Sequence, residues 1–200
     1  MPTILTPGGS AVFERSVNPE LSRVEAQGLF RSEICAHVEA HVGPIARVLH
    51  ENQSQYVHLD VLVIPPSTRF PFTTLVTSGM SDRPMLAPYD EEEARNWARC
   101  EFVIGLPADW NGGSVDTWTD ETFGPVAELL GAARYPHACE SWIAPGHTIA
   151  PSGNGMLGSW TQKFSSVLVD WPYALPPELG RLQVSENEAI NFYGLYFITP

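Results

Sequence analysis

The clearest hydrophobic pattern in the chain is the run SQYVHLDVLVIPP at residues 54–66. The odd-numbered residues 57–63 are all apolar and would face one side of a strand, whereas His58 and Asp60 share the other side with aliphatic residues. Because both sides are mostly apolar beyond Asp60, the pattern predicts a central, largely buried strand. Pro65 and Pro66 would end it.

Similar patterns predict six further strands. They fall within residues 45–52, 69–79, 100–110, 146–155, 165–172 and 190–200. The connections between the earlier strands are too short for crossover helices, so these strands should form an antiparallel meander.

Three segments carry helical signals. Asn18 and Pro19 open one helix that Gly28 ends, and the second helix follows at 29–43 with Phe30, Ile34 and Val38 on one face. The third is expected within the segment 117–136, in which Pro136 lies past the end of the helix. The order of helices and strands predicts an α+β fold, in which helices pack on a mixed, mainly antiparallel sheet. We expect a lead-in with a short helix at 1–28 and a single domain at 29–200.

Composition narrows the class of protein. The 200 residues are 44% hydrophobic, which is typical of a globular chain, and no apolar run approaches the length of a membrane span. The N-terminus does not resemble a signal peptide. Three widely spaced cysteines do not indicate a disulfide framework, so we expect a reducing, cytoplasmic location.

The net charge of −12 argues against nucleic-acid binding, which needs a basic surface. An acidic surface can instead attract a basic protein. The candidate contact surface for such a partner is the acidic run Asp90, Glu91, Glu92 and Glu93. Such a run is also an ordinary solvated surface.

Catalytic signals are weak. His58 and Asp60 share a strand face and, with His147 as a third ligand, would give a metal-dependent hydrolase. However, the chain has no HExxH or CxxC spacing, and a His–Asp pair is more often a structural hydrogen bond. The segment TSGMSD is not a nucleophile elbow, and no phosphate-binding loop is present. We therefore expect no catalytic residues, no cofactor, no metal and no small-molecule substrate.

The tryptophans lie mostly at the ends of predicted elements, as Trp110 does at the end of the segment 100–110. Buried Trp at such corners locks loops onto a core, although aromatic residues also anchor partner proteins.

An ordered set of segments resembles the suppressor of fused domain in its compact bacterial form, over residues 29–200. These segments are VHLDVLVIPP, LVTSGMSDRPM, EFVIGLPADW, YPH with a later GHTI, and INFYGLYFITP. The resemblance implies a mixed α+β domain without known catalysis. In animals such a protein sequesters a transcription factor by clamping an extended peptide, and compact bacterial relatives resemble immunity proteins of toxin systems. It thus implies a cytosolic, inhibitor-type protein whose partner is a basic toxin or a regulatory peptide.

The resemblance also gives the polar cluster after the long strand a structural or partner-binding role. Its members are His58, Asp60, Thr77, Ser78, Gly79, Met80, Asp82 and Met85. We expect Asp60 to accept hydrogen bonds from His58 or from the backbone at 77–79, and Gly79 to adopt a conformation that other residues resist. Met80 and Met85 should fill irregular space beneath.

Overall fold

The computed structural model describes residues 4–5, 11–12, 28–51, 54–87, 96–110, 112, 118–149 and 164–199. Apart from Gly28, the helix expected at 18–28 lies outside these residues, as does the acidic run Asp90, Glu91, Glu92 and Glu93. The described helices are α1 (Arg31–His41) and α2 (Asp120–Ala138). The strands are β1 (Ile4–Leu5), β2 (Ala11–Val12), β3 (Arg47–Leu49), β4 (Asp60–Ile64), β5 (Thr73–Ser78), β6 (Cys100–Leu106), β7 (Thr148–Ile149), β8 (Ser166–Asp170), β9 (Arg181–Ser185) and β10 (Glu188–Ile198).

Eight of the described strands form one sheet in the order β3-β4-β5-β6-β10-β8-β7, with β9 pairing the first part of β10. Strands β3 to β6 are antiparallel neighbours in chain order, which confirms the expected meander. Strand β10 pairs with β6 in parallel, with Asn191 opposite Cys100. The observed fold is therefore the predicted one: a mixed, mostly antiparallel sheet with two described helices.

The alternation along the long apolar run divides the core between the two faces of the sheet. The odd-numbered residues 57–63 belong to a cluster that includes Val126 and Leu129 of α2. Leu62 and Ile64 belong to a second cluster with Ile34 and Val38 of α1. The sheet therefore lies between the two helices, and each of its faces carries a buried apolar cluster.

Helix α2 begins with a capping box in which Thr119 and Thr122 satisfy each other's backbone amides. It continues through Pro136 to Ala138, so the expectation that Pro136 lies past its end is wrong. The φ of proline is compatible with a helix. His137 and Ala138, which follow it, are buried, and their burial stabilises the last turn of α2. Neither described helix has the length and apolar character needed to cross a bilayer.

One strand boundary and one additional strand also differ from expectation. Strand β4 begins only at Asp60, and Tyr56 before it has a φ of +67°, which interrupts the extended chain that the sequence predicts from residue 54. Strand β9 was not expected, although its exposed and half-buried residues alternate. It forms a hairpin with β10 and so gains its stability from a neighbour rather than from an apolar run of its own.

Candidate functional site

A cleft of about 280 Å³ opens where the N-terminus of α1 meets the start of β4 and the end of β5. Its lining residues are Gly28, Arg31, His58, Asp60, Ser78, Gly79 and Asp82. Asp60 and Ser78 lie opposite each other in the β4–β5 register, so the antiparallel pairing itself places them together. Five members of the predicted polar cluster thus share one cleft.

Asp60 is the charged centre of the cleft, and its side chain is only 4% exposed. Its Oδ1 lies 3.0 Å from His50 Nδ1 and 3.4 Å from His58 Nε2. Its Oδ2 lies 3.2 Å from Nη1 of Arg31, whose side chain is 44% exposed. A buried carboxylate requires such partners. Of the expected partners His58 is present, whereas Arg31 and His50 come from segments that the sequence did not connect to Asp60.

The backbone at 77–79 is held by a different carboxylate, Glu101 of β6. Glu101 Oε1 accepts hydrogen bonds from Gly79 N at 3.0 Å, from Ser81 N at 3.0 Å and from Ser81 Oγ at 2.6 Å. Its Oε2 accepts from Thr77 Oγ1 at 2.6 Å. The role expected of Asp60 in pinning this turn therefore belongs to Glu101.

Glu101 is fully buried, and desolvation raises the pKa of its carboxyl group, while the hydrogen bonds from Ser81, Thr77 and Gly79 lower it. Sequence reasoning missed Glu101. The available signal was an acidic residue next to the start of the apolar run CEFVIGL, whose neighbours predict burial on both faces.

Arg99 holds the same turn from the other side. Its Nη1 donates to the carbonyl oxygens of Ser81 at 2.5 Å and Asp82 at 3.1 Å, while its Nε pairs with Glu188 at 2.5 Å. Its guanidinium also lies 5.1 Å from the ring centroid of Phe30, just before α1. The turn at Met80–Asp82, a short 3-10 helix, is thus fixed by side chains of opposite charge.

Asp82 joins this turn to α1. Its Oδ1 accepts a hydrogen bond from the backbone amide of Leu29 at 3.1 Å. Burial raises the pKa of Asp82, and the amides of Leu29, Gly28 and Phe30 oppose that shift. A carboxylate at this position also interacts favourably with the positive end of the helix dipole.

Gly79 has a φ of +117°, and a Cβ added there would lie 2.2 Å from the carbonyl oxygen of His58. The expected special conformation of Gly79 is therefore present. Met80 and Met85 lie in the core beneath, with each Sδ 3.9 Å from Cys100 Sγ. His137 of α2 binds the carbonyl oxygen of Met80 through Nε2 at 3.1 Å, which ties the turn to the second helix.

Beside the cleft, one row of residues has the composition of a hydrolase triad but not its arrangement around an open site. Ser54 Oγ lies 2.7 Å from His58 Nδ1, and His58 Nε2 lies 3.4 Å from Asp60 Oδ1. These are the three residue types of a hydrolase triad. However, Ser54 is buried and does not line the cleft, and Asp60 is paired with Arg31.

The metal-site alternative gains no support either. Among the described residues, no group of three or more His, Cys, Asp and Glu side chains is arranged to hold a metal ion. His147 instead packs edge-on against Trp142, with ring centroids 4.5 Å apart, and does not join His58 and Asp60.

Trp110 lies outside the cleft. It follows β6, where its backbone amide donates to Pro107 O at 2.9 Å and its ring packs against the core cluster shared with α2. Trp110 therefore packs the loop after β6 onto the core, as the sequence predicts for a Trp at the end of an element.

The sequence profile of the suppressor of fused protein (SUFU) family matches residues 55–200, which is more than half of the chain. The chain belongs to the suppressor of fused family. None of the curated proteins compared with it is similar enough to count as a match.

Solved structures agree on the fold of this suppressor of fused domain. A suppressor of fused homologue from Neisseria gonorrhoeae is 17% identical, with a TM-score of 0.55 over 85% of this chain and 78% of the other. Drosophila Suppressor of Fused is 14% identical, with a TM-score of 0.54 over 92% of this chain and 45% of the other. The chain thus spans less than half of the Drosophila protein.

A third similar structure is named as a Sufu–Fu complex. It is 12% identical, with a TM-score of 0.54 over 89% of this chain and 77% of the other.

Proposed function

We propose that this suppressor of fused domain is a non-catalytic protein-binding module that sequesters a partner protein at the Asp60 cleft. The observation that carries the proposal is family membership over residues 55–200, together with a fold shared with a protein named as part of a Sufu–Fu complex. Five of the cleft residues fall within the matched range.

The construction of the cleft supports binding. Glu101 and Arg99 fix the 77–82 turn from within the protein, so its shape does not depend on a ligand. Arg31 and Leu29 stand exposed beside it, Leu29 with 54% of its surface accessible. A preformed polar cleft with an exposed apolar residue at its margin suits a protein segment, because less ordering accompanies association.

The finer proposal is an inhibitor of the immunity type, in which the partner is a basic toxin or a regulatory peptide. The net charge of −12 supports a basic partner, because opposite charge accelerates encounter and discourages wrong partners.

Site-specific crosslinking tests the proposal in the native host. Leu29 is replaced by a photo-crosslinking amino acid in the tagged, full-length chain, and adducts are identified by mass spectrometry after illumination. We expect one dominant protein adduct, which an excess of the unmodified chain suppresses.

A matched control places the same crosslinker at Tyr173, which is 71% exposed and does not line the cleft. An adduct that forms equally from Tyr173, or that persists with excess unmodified chain, would be inconsistent with capture at the cleft.

A further inference from the structure

One cation in the cleft comes from outside the region that matches the family. Arg31 belongs to α1 and precedes residue 55, whereas Asp60 lies within the matched range. The amide of Leu29 binds Asp82 across the same cleft. The segment Gly28–Arg31 therefore places its own guanidinium on the buried carboxylate of the family-matched part.

We propose that the Asp60 cleft is an arginine-recognition site, which the chain's own Arg31 fills until an arginine side chain of the partner displaces it. This inference rests on the proposed function, since it names the group by which the partner is recognised. The partner is then a protein that presents an exposed arginine on a segment able to reach Asp60.

The asymmetry of the Arg31–Asp60 pair supports displacement. Asp60 is 96% shielded by the protein, whereas Arg31 keeps 44% of its side chain in contact with water. Its Nη1–Oδ2 distance of 3.2 Å exceeds the roughly 2.7–2.9 Å of strong charge-assisted bonds. An ion pair with one partner this exposed contributes little, and an incoming arginine keeps Asp60 paired, so exchanging one guanidinium for the other costs little.

The cleft geometry favours guanidinium over ammonium. Asp60 Oδ1 already accepts from His50 at 3.0 Å, and Oδ2 faces Arg31. Asp82 and Ser78 add further oxygen atoms to the lining. A planar group with five N–H donors can bind several such acceptors at once, whereas an ammonium is a compact, strongly hydrated charge.

Chemical complementation tests this inference without the partner. In the Arg31→Ala variant, ethylguanidinium should occupy the vacated position and stabilise the folded chain by mass action. We expect a saturable rise in Tm of about 2 °C or more at tens of millimolar ethylguanidinium. Ethylurea, of similar shape but without charge, should give no rise, and ethylammonium a smaller one.

The double variant Arg31→Ala, Asp60→Asn removes the carboxylate and should abolish the response. A rise that survives in this double variant, or equal rises from ethylammonium and ethylguanidinium, would overturn the arginine site.

A second measurement uses the intact chain and does not depend on the folding of any variant. Ethylguanidinium competes with Arg31 and should shift the backbone amide NMR signals of Leu29, Asp60 and Gly79 in a saturable way. Signals that respond identically to ethylurea would contradict the inference. Because neither measurement contains the partner, a crosslinked adduct at Leu29 combined with no ethylguanidinium response refutes arginine recognition while leaving the proposed function intact.

Discussion

At the scale of single residues, the 77–82 turn depends on two buried or mostly buried side chains that stabilise the fold through hydrogen bonds. Arg99 and Glu101 are two residues apart on an extended segment and therefore point to the same side. One donates to the carbonyl groups of the turn and the other accepts from its amides and hydroxyls. The cleft wall is consequently satisfied internally, as a buried polar network must be.

Replacing Glu101 should be among the most damaging single changes. Glu101→Ala leaves the donors of Thr77, Gly79 and Ser81 without their acceptor and creates a cavity, for an expected loss of about 3–5 kcal/mol. Glu101→Gln keeps one acceptor oxygen and the volume, so it should cost roughly 1–2 kcal/mol. Urea unfolding of both variants measures the difference, and equal losses would contradict a role in hydrogen bonding.

Gly79 and Gly146 form a matched pair of glycines. Both have positive φ, +117° and +88°, but a Cβ at Gly79 would meet His58 O at 2.2 Å, whereas one at Gly146 would meet nothing within 4 Å. Gly146→Ala should therefore cost only backbone strain, about 1 kcal/mol, and Gly79→Ala roughly 2–4 kcal/mol. Thermal and urea unfolding compare them, and a Gly79→Ala variant as stable as Gly146→Ala would be incompatible with the close approach to His58.

His137 should make stability depend on pH. Burial lowers its pKa from 6.5 to about 4, and the Arg83 charge adds to the shift. The unfolded chain then binds more protons than the folded one between these values, so stability falls as pH falls through this window. The loss attributable to His137 is about 3 kcal/mol.

The His137→Gln variant keeps a side-chain donor for Met80 O and should lack this pH dependence. The raised pKa of Glu101 has the opposite sign, because its stabilisation declines as pH rises through the folded-state pKa. The relevant quantity is therefore the difference between wild type and His137→Gln, obtained from urea unfolding across pH 4–7. A constant difference would show that His137 is not buried in the neutral form.

At the scale of elements, α1 contributes to the core although the family profile does not cover it. It lies before the family-matched range, yet Ile34 and Val38 are completely buried against the sheet. Its first residue, Arg31, and Leu29 just before it also contact residues of the cleft. We therefore regard α1 as part of the domain core.

Truncating Ile34 tests that view. Ile34→Ala should destabilise the whole domain by about 2–5 kcal/mol and Ile34→Val by about 0.5–1.5 kcal/mol. No tryptophan lies in α1, so Trp fluorescence reports the rest of the domain while far-UV circular dichroism includes the helix. Coincident urea transitions in both probes are expected. A fluorescence transition that does not move would mean that α1 is an appendage.

The sequence predicted the elements whose pattern is local. The alternation at residues 57–64 predicted which residues share each side of the strand, and the spacing of Phe30, Ile34 and Val38 predicted the buried face of α1. The parallel pairing of β6 with β10 joins residues about 90 positions apart, which no local pattern records. Arg31, which comes from a helix and not from a neighbouring strand, was missed for the same reason. His50 was missed although it lies in the segment 45–52, which the predicted meander places beside the long strand.

At the scale of the whole molecule, net charge is the property most directly tied to the proposed function. The chain carries 23 acidic and 11 basic residues. The pairs Arg99–Glu188 and Arg134–Glu51 each cancel one charge of either sign, so the remaining charges keep the same acidic excess. The field that an approaching protein meets is therefore predominantly negative, and it acts over about 10 Å at moderate ionic strength.

For the partner captured through Leu29, the association rate should accordingly fall as salt rises. We expect a decrease of about tenfold or more between 20 mM and 500 mM salt, with a much smaller change in the dissociation rate, because screening weakens long-range attraction more than contacts within the complex. Surface plasmon resonance measures both rates.

Changing Asp90, Glu91, Glu92 and Glu93 together to Ser should reproduce part of the decrease at low salt. An association rate that is unaffected by salt would exclude a basic partner, and with it the toxin form of the proposal, while leaving recognition of a neutral protein that presents one arginine.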